Sequence, residues 1–112
     1  MADGTQPMRL PSFIAPATII ESVAGTMGTT VAELLGKRVF SNLNAARQIT
    51  CLLFAEFTLL SMVEMGFALG RRNDTAGRHC LIVARARLQK DQRFRGAFEQ
   101  ARQGLLKGFE HG

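Results

Sequence analysis

One helix-start signal occurs twice in the chain, as Thr30-x-x-Glu33 and Ser61-x-x-Glu64. In such a box the hydroxyl accepts the backbone N–H three residues on, and the glutamate reaches back to the N–H of the hydroxyl residue. A glycine follows each time, Gly36 and Gly70, and glycine readily closes a helix. Two short helices, 31–35 and 62–69, are therefore predicted. They fix the frame for the rest of the chain.

Pro16 suits the first turn of a helix over about 17–27, with Ile19, Ile20, Val23 and Met27 on one side. Gly25 and Gly28 weaken that helix and help to end it. The stretch KRVFSNLN (37–44) reads as a loop. Asn42 or Asn44 is then expected to cap a long helix to about Leu60, whose apolar stripe includes Ile49, Leu52, Leu53, Phe57 and Leu60. Asn73 or Asp74 is expected to cap a helix from Thr75 to about Lys90. Asp91 restarts a last helix over about 92–108, with Phe94, Phe98, Ala101 and Leu105 at helical spacing. No strand signal and no repeat is visible, so the fold is expected to be all-α with about six helices. Residues 1–15, with two of the three prolines, read as a flexible arm ahead of one domain, 16–112. The apolar run 49–70 is broken by Glu56, Ser61 and Glu64, so it reads as two buried helices and no membrane is expected.

Charge is distributed unevenly. Residues 1–70 hold four basic side chains (Arg9, Lys37, Arg38, Arg47) against five acidic ones, a net −1. Residues 71–112 hold ten against four, a net +6. All the excess positive charge lies beyond Gly70, the footprint of a polyanion surface at one end of the fold. A composition that is 46% hydrophobic excludes a disordered chain. The N-terminus lacks a signal-peptide pattern. Cys51 and Cys80, with no CxxC, read as buried free thiols of a cytosolic protein. Glu56 and Glu64 have no second catalytic group converging on them, so no catalytic residue is expected. His79, Cys80, Cys51 and Asp74 lack the spacing of a zinc site, so no metal or cofactor is expected.

The helices 62–69 and 75–90, joined by a tight glycine-containing turn, form a helix-turn-helix candidate. The second helix of such a motif enters the major groove with its N-terminal residues at the base edges. Here that turn is GRRNDTAGRHC (70–80). Its backbone N–H groups favour a phosphate, and Arg71 and Arg72 flank the same point. Arg71, Arg78 and Arg85 recur every seven residues, which is expected to place them on one helix face. Arg93, Arg95, Arg102 and Lys107 either extend a backbone-binding surface or form a solvated face. Ile82 and Val83 either add to the core or present a contact surface to a protein partner.

From Ile20 to about Leu105 the sequence resembles the C-terminal DNA-binding domain (domain IV) of the bacterial replication initiator DnaA. VAELLGKR (31–38) is similar to that domain's VADLLSKR block, and ARQITCLLFAEFT (46–58) to its ARQIAMYLARELT helix. SMVEMGFALGRR (61–72) is similar to SLPEIGRAFGGR, and NDTAGRHC (73–80) falls on the hallmark DHTTVLHA. The resemblance implies the Trp-repressor and DnaA type of all-α helix-turn-helix fold. No GxxxxGK[ST] phosphate loop is present, so a stand-alone domain without the initiator's ATPase region is expected. The implied partner is double-stranded DNA, at a replication origin or DnaA-box-like sites, in the cytoplasm on the nucleoid. The implied roles are phosphate contact for Arg72 and Arg47, base contact for Thr75 and His79, and a basic loop at Lys37 and Arg38.

The departures from the family are as informative. The hallmark Asp-His is Asn73-Asp74 here, its second threonine is Ala76, and its Val-Leu is Gly77-Arg78. The family's minor-groove arginine falls on Val39, and its downstream Arg-Lys on Ile82-Val83. Each lost bidentate base contact removes about 1–3 kcal/mol of discrimination. Two functions stay open at this level. One is DNA binding that modulates replication initiation or transcription. The other is contact with the initiator or its regulators through Ile82 and Val83, with base reading lost. Oligomeric state is not readable from the sequence.

Overall fold

A computed structural model describes residues 13–108. Six α-helices run in order: α1 Pro16–Met27, α2 Val31–Leu35, α3 Ser41–Phe57, α4 Met62–Ala68, α5 Ala76–Lys90 and α6 Gln92–Lys107. Among the described residues there is no strand, as the sequence pattern predicts.

Helix α3 is the centre. Leu43, Ala46, Ile49, Cys51, Leu53, Phe54 and Phe57 are all buried, and α1, α2, α5 and α6 pack around it. Its one buried hydroxyl is satisfied locally, since Thr50 Oγ1 donates to the Ala46 carbonyl at 2.7 Å. The expected caps at Asn42 or Asn44 are corrected. The helix starts at Ser41 after an extended Phe40, with no side-chain cap, and both asparagines lie inside it. It ends at Phe57, short of Leu60, where Thr58 turns extended.

Both capping boxes form. Glu33 N–H donates to Thr30 Oγ1 at 3.1 Å, and Thr30 N–H to Glu33 Oε1 at 3.1 Å. The box at α4 has the same pair at 3.1 and 2.7 Å. Ser61→Ala is expected to lower stability by about 1 kcal/mol, read by urea unfolding. Asp91 serves two helices. Its N–H closes α5 on the Arg87 carbonyl, and its carboxylate accepts the Phe94 N–H at 3.0 Å to open α6.

Most of the expected arm, residues 1–12, lies outside the described residues. Its last part is tied down: Ile14 is buried and its N–H donates to the Phe57 carbonyl at 2.9 Å. Among the described residues, no helix is long and apolar enough to cross a membrane.

Candidate nucleic-acid interface

Helix α4 closes on a glycine with φ 77°, Gly70. Gly70 N–H donates to the Phe67 carbonyl and Arg71 N–H to the Gly66 carbonyl, both at 2.9 Å, the paired bonds of a Schellman motif. Only glycine fits there twice over, because a Cβ would lie 2.5 Å from the Leu35 carbonyl oxygen. The turn therefore presses against the end of α2.

Helices α4 and α5 cross at two facing glycines. A Cβ on Gly66 would lie 2.8 Å from the Gly77 nitrogen. A Cβ on Gly77 would lie 2.6 Å from the Gly66 nitrogen and overlap the Met62 carbonyl oxygen. Backbone meets backbone, and this contact sets the angle at which α5 leaves the turn. With the Gly77 side turned inward, Arg72, Asn73, Asp74, Thr75, Arg78 and His79 are all exposed at the start of α5. They form one polar surface at the tip of the motif. Ile82, 49% exposed, and Arg85 continue it along the outer face of the helix.

The expected cap at Asn73 or Asp74 takes another form. Thr75 occupies the N-cap position without a side-chain cap bond to the helix. Asn73 Oδ1 instead accepts from Thr75 N–H and Thr75 Oγ1, both at 3.1 Å, an Asx-turn that stiffens the residues ahead of the helix. Asp74 points to solvent beside it.

Two arginines expected at the DNA are placed otherwise. Arg47 is 6% exposed. It donates to the carbonyls of Leu34 (2.8 Å), Arg38 (2.6 Å), Glu33 (2.9 Å) and Gly36 (3.0 Å). Four of its N–H groups thus bind the end of α2 and the loop after it, where unpaired helix carbonyls gather. Burial, and next the Arg71 charge, pull its proton affinity below the ordinary guanidinium value. Arg47, expected at a phosphate, is thus turned into the fold here. The signal was in the sequence: Leu43, Arg47, Thr50 and Phe54 share a helical stripe, and all are buried.

Arg71 turns the same way. It donates to Leu69 at 3.1 Å, to Leu35 at 3.4 Å and to the Gly36 carbonyl, which Arg47 also binds. It precedes α5, so the expected common face of Arg71, Arg78 and Arg85 holds only for the last two. Arg71 ties the turn to the end of α2. Lys37 and Arg38 are exposed on the loop that these two guanidiniums hold. Val39, in that loop, faces His79, Cys80 and Val83 of α5 across a cleft of about 320 Å³. The loop and α5 therefore stand side by side. Val83 lines the cleft while Ile82 faces out, so the two do not form one apolar pair.

Residues 16–80 match the family model described as the bacterial dnaA protein helix-turn-helix. The chain belongs to that family. The bacterial DnaA helix-turn-helix is a DNA-binding domain, and the match takes in α1 through α4, the turn and the first residues of α5. It stops at Cys80, so Ile82, Arg85 and all of α6 lie beyond it. The expected resemblance to about Leu105 is wider than the matched span.

On α6 two of the four basic side chains, Arg95 and Arg102, are committed within the fold. Arg102 binds both Glu56 carboxylate oxygens, and that bond raises its proton affinity. Arg95 donates to the Leu88 and Gln89 carbonyls. Arg87 on α5 pairs with Asp91 at 3.1 Å, bonds Gln48 and lies over the Phe94 ring. Arg93 and Lys107 remain exposed. No three His, Cys, Asp or Glu converge among the described residues.

Proposed function

We propose that this DnaA-type helix-turn-helix binds double-stranded DNA with the start of α5 in the major groove, and thereby modulates chromosome replication initiation or transcription at initiator-type sites. It would act on nucleoid DNA in the cytoplasm. One observation carries the reading: the Gly66–Gly77 crossing leaves Arg72, Asn73, Asp74, Thr75, Arg78 and His79 on a single exposed tip. In this reading Thr75, Asp74 and His79 meet base edges, Asp74 by accepting from cytosine N4. Arg72, Arg78 and Arg85, with Lys37 and Arg38 on the adjacent loop, supply phosphate contacts. The rewritten hallmark points to a site other than the family's standard box.

Mobility shifts over a salt series, with DNA enriched from a random pool, test this. If all five basic side chains meet phosphates, the slope of log affinity against log salt is about −4.5. Arg78→Ala is expected to weaken binding on every sequence and to reduce that slope by about 1. Thr75→Ala is expected to cost about 1–3 kcal/mol on the selected site alone. Absence of binding at low salt sinks the proposal.

A second reading is favoured by Ile82, an apolar side chain 49% exposed midway along the proposed reading face. In it the domain has lost base reading and acts by contact with the initiator or its regulators. Recovery of such a partner by the native chain, and its loss with Ile82→Glu, would support this reading. Enrichment of a DNA consensus would count against it.

A further inference from the structure

Two guanidiniums converge on one oxygen at the root of the 37–40 loop. The Gly36 carbonyl accepts from Arg47 Nη2 at 3.0 Å and from Arg71 Nη2. Like charges held this close disfavour each other, and no carboxylate offsets them. The ion pairs among the described residues, Arg87 with Asp91 and Arg102 with Glu56, lie elsewhere. No Asp or Glu lines the cleft that Arg47 and Arg71 share. Donors are also left over. The bonds of Arg71 use Nε and Nη2 only, so its Nη1 has no partner among the described residues. Every fully buried polar side-chain atom among those residues has a partner, so this nitrogen reaches solvent. Arg47 keeps one N–H of its Nη1 free as well.

We propose that the cleft between the 37–40 loop and α5 binds a small organic carboxylate, with its anionic head on Arg71 and Arg47 and its apolar body among Val39, Leu69 and Val83. The cleft, about 320 Å³, is at the lower end of the range for small-molecule sites. Its wall is mostly apolar, and the guanidiniums supply a few convergent donors. That is the usual make-up of such a site. A planar guanidinium matches a carboxylate in shape, and the charge-assisted bonds between them are short and strong. A bare inorganic anion would satisfy the guanidiniums and leave the apolar wall in water. A neutral apolar molecule would cover the wall and leave the charges unmatched. A carboxylate on a compact hydrocarbon body answers both.

The same cleft separates two pieces of the surface assigned to DNA. Val39 belongs to the loop that carries Lys37 and Arg38, and His79 on the opposite wall belongs to α5. A bound anion would cancel positive charge beside both pieces, which lowers the attraction for phosphates. Weaker DNA binding on occupancy is the expected consequence. That consequence rests on the function proposed above, and the site does not.

The test is heteronuclear NMR of the labelled full chain titrated with benzoate, inorganic phosphate or benzyl alcohol at one ionic strength. Benzoate is expected to shift the amides of Val39, Leu69 and Val83 and the Arg71 Nε–H signal together and saturably. It is expected to bind about tenfold more tightly than either other probe, because each lacks one half of the match. Arg71→Gln is expected to abolish the benzoate shifts. Because Arg71 also holds the turn, a second variant keeps both guanidiniums: Val83→Phe fills the cleft, and benzoate is expected to lose its hold while the folded spectrum is retained. Shifts scattered over the surface, benzyl alcohol equal to benzoate, or full benzoate binding by Val83→Phe would overturn the proposal. Phosphate equal to benzoate would overturn it too, in favour of a DNA backbone phosphate at the guanidinium pair. In mobility shifts, saturating benzoate is expected to weaken DNA retention several-fold, and unchanged retention overturns the coupling alone. The NMR arm uses no DNA, so the site and the function proposed above stand or fall separately.

Discussion

Replacing Gly77 by valine is expected to cost about 3 kcal/mol of stability and to abolish DNA binding. The sign of a change at this position is a contest between two effects. Glycine inside a helix is about 1 kcal/mol worse than alanine, so a side chain would by itself strengthen α5. Against that, any Cβ here overlaps the Met62 carbonyl oxygen and lies 2.6 Å from the Gly66 nitrogen. These are backbone atoms and cannot rotate away. Helix α5 would have to lift off α4, changing the angle at which Arg78 and His79 are presented. Even Gly77→Ala is therefore expected to destabilise. Urea unfolding gives the stability term, and mobility shifts give the binding term. A Gly77→Ala chain more stable than the parent by about 1 kcal/mol would disprove the close crossing.

Arg47→Ala is expected to cost on the order of 4 kcal/mol, from the loss of several charge-assisted hydrogen bonds at about 1.5–3 kcal/mol each. The carbonyls of Leu34 and Arg38 would lose this donor, while that of Gly36 would keep only Arg71 and that of Glu33 only the Gly36 N–H. That is a large share of the roughly 5–15 kcal/mol that holds a domain together. Arg47→Lys is expected to recover little, because one ammonium cannot reproduce a planar fork that spans four acceptors. Thermal unfolding and DNA binding should fall together in these variants. A chain with Arg47→Ala that melts normally yet binds DNA weakly would restore Arg47 to the DNA surface. Arg78→Ala should do the reverse, leaving the melt unchanged.

Local signals in the sequence carried the helices well. The boxes at Thr30 and Ser61 gave the starts of α2 and α4 because a capping box is complete within four residues. Asp91 was equally clear, acting on Phe94 three residues on. The start of α3 was less legible, because burial of Leu43 and not an asparagine side chain accompanies its first turn. The site divided on the same principle. Exposure of Thr75, Arg78 and His79 follows from helical phase. The fates of Arg47 and Arg71 depend on carbonyls up to 36 residues away, which no local pattern reveals. Gly77 was visible as an oddity, but its reason lies across the turn in Met62 and Gly66.

Helix α4 has one principal helical neighbour, α5, whereas α3 touches almost every element. Its further hold on the body is a pair of buried side chains, Met65 and Leu69, and the turn pressed on α2. Cooperative units with few neighbours open at lower free energy than the global transition. Helix α4 can therefore open while the core, with α5 packed on α3, stays folded. A mutation that loosens α4 is expected to show first as local protease sensitivity there, ahead of any change in the global unfolding transition.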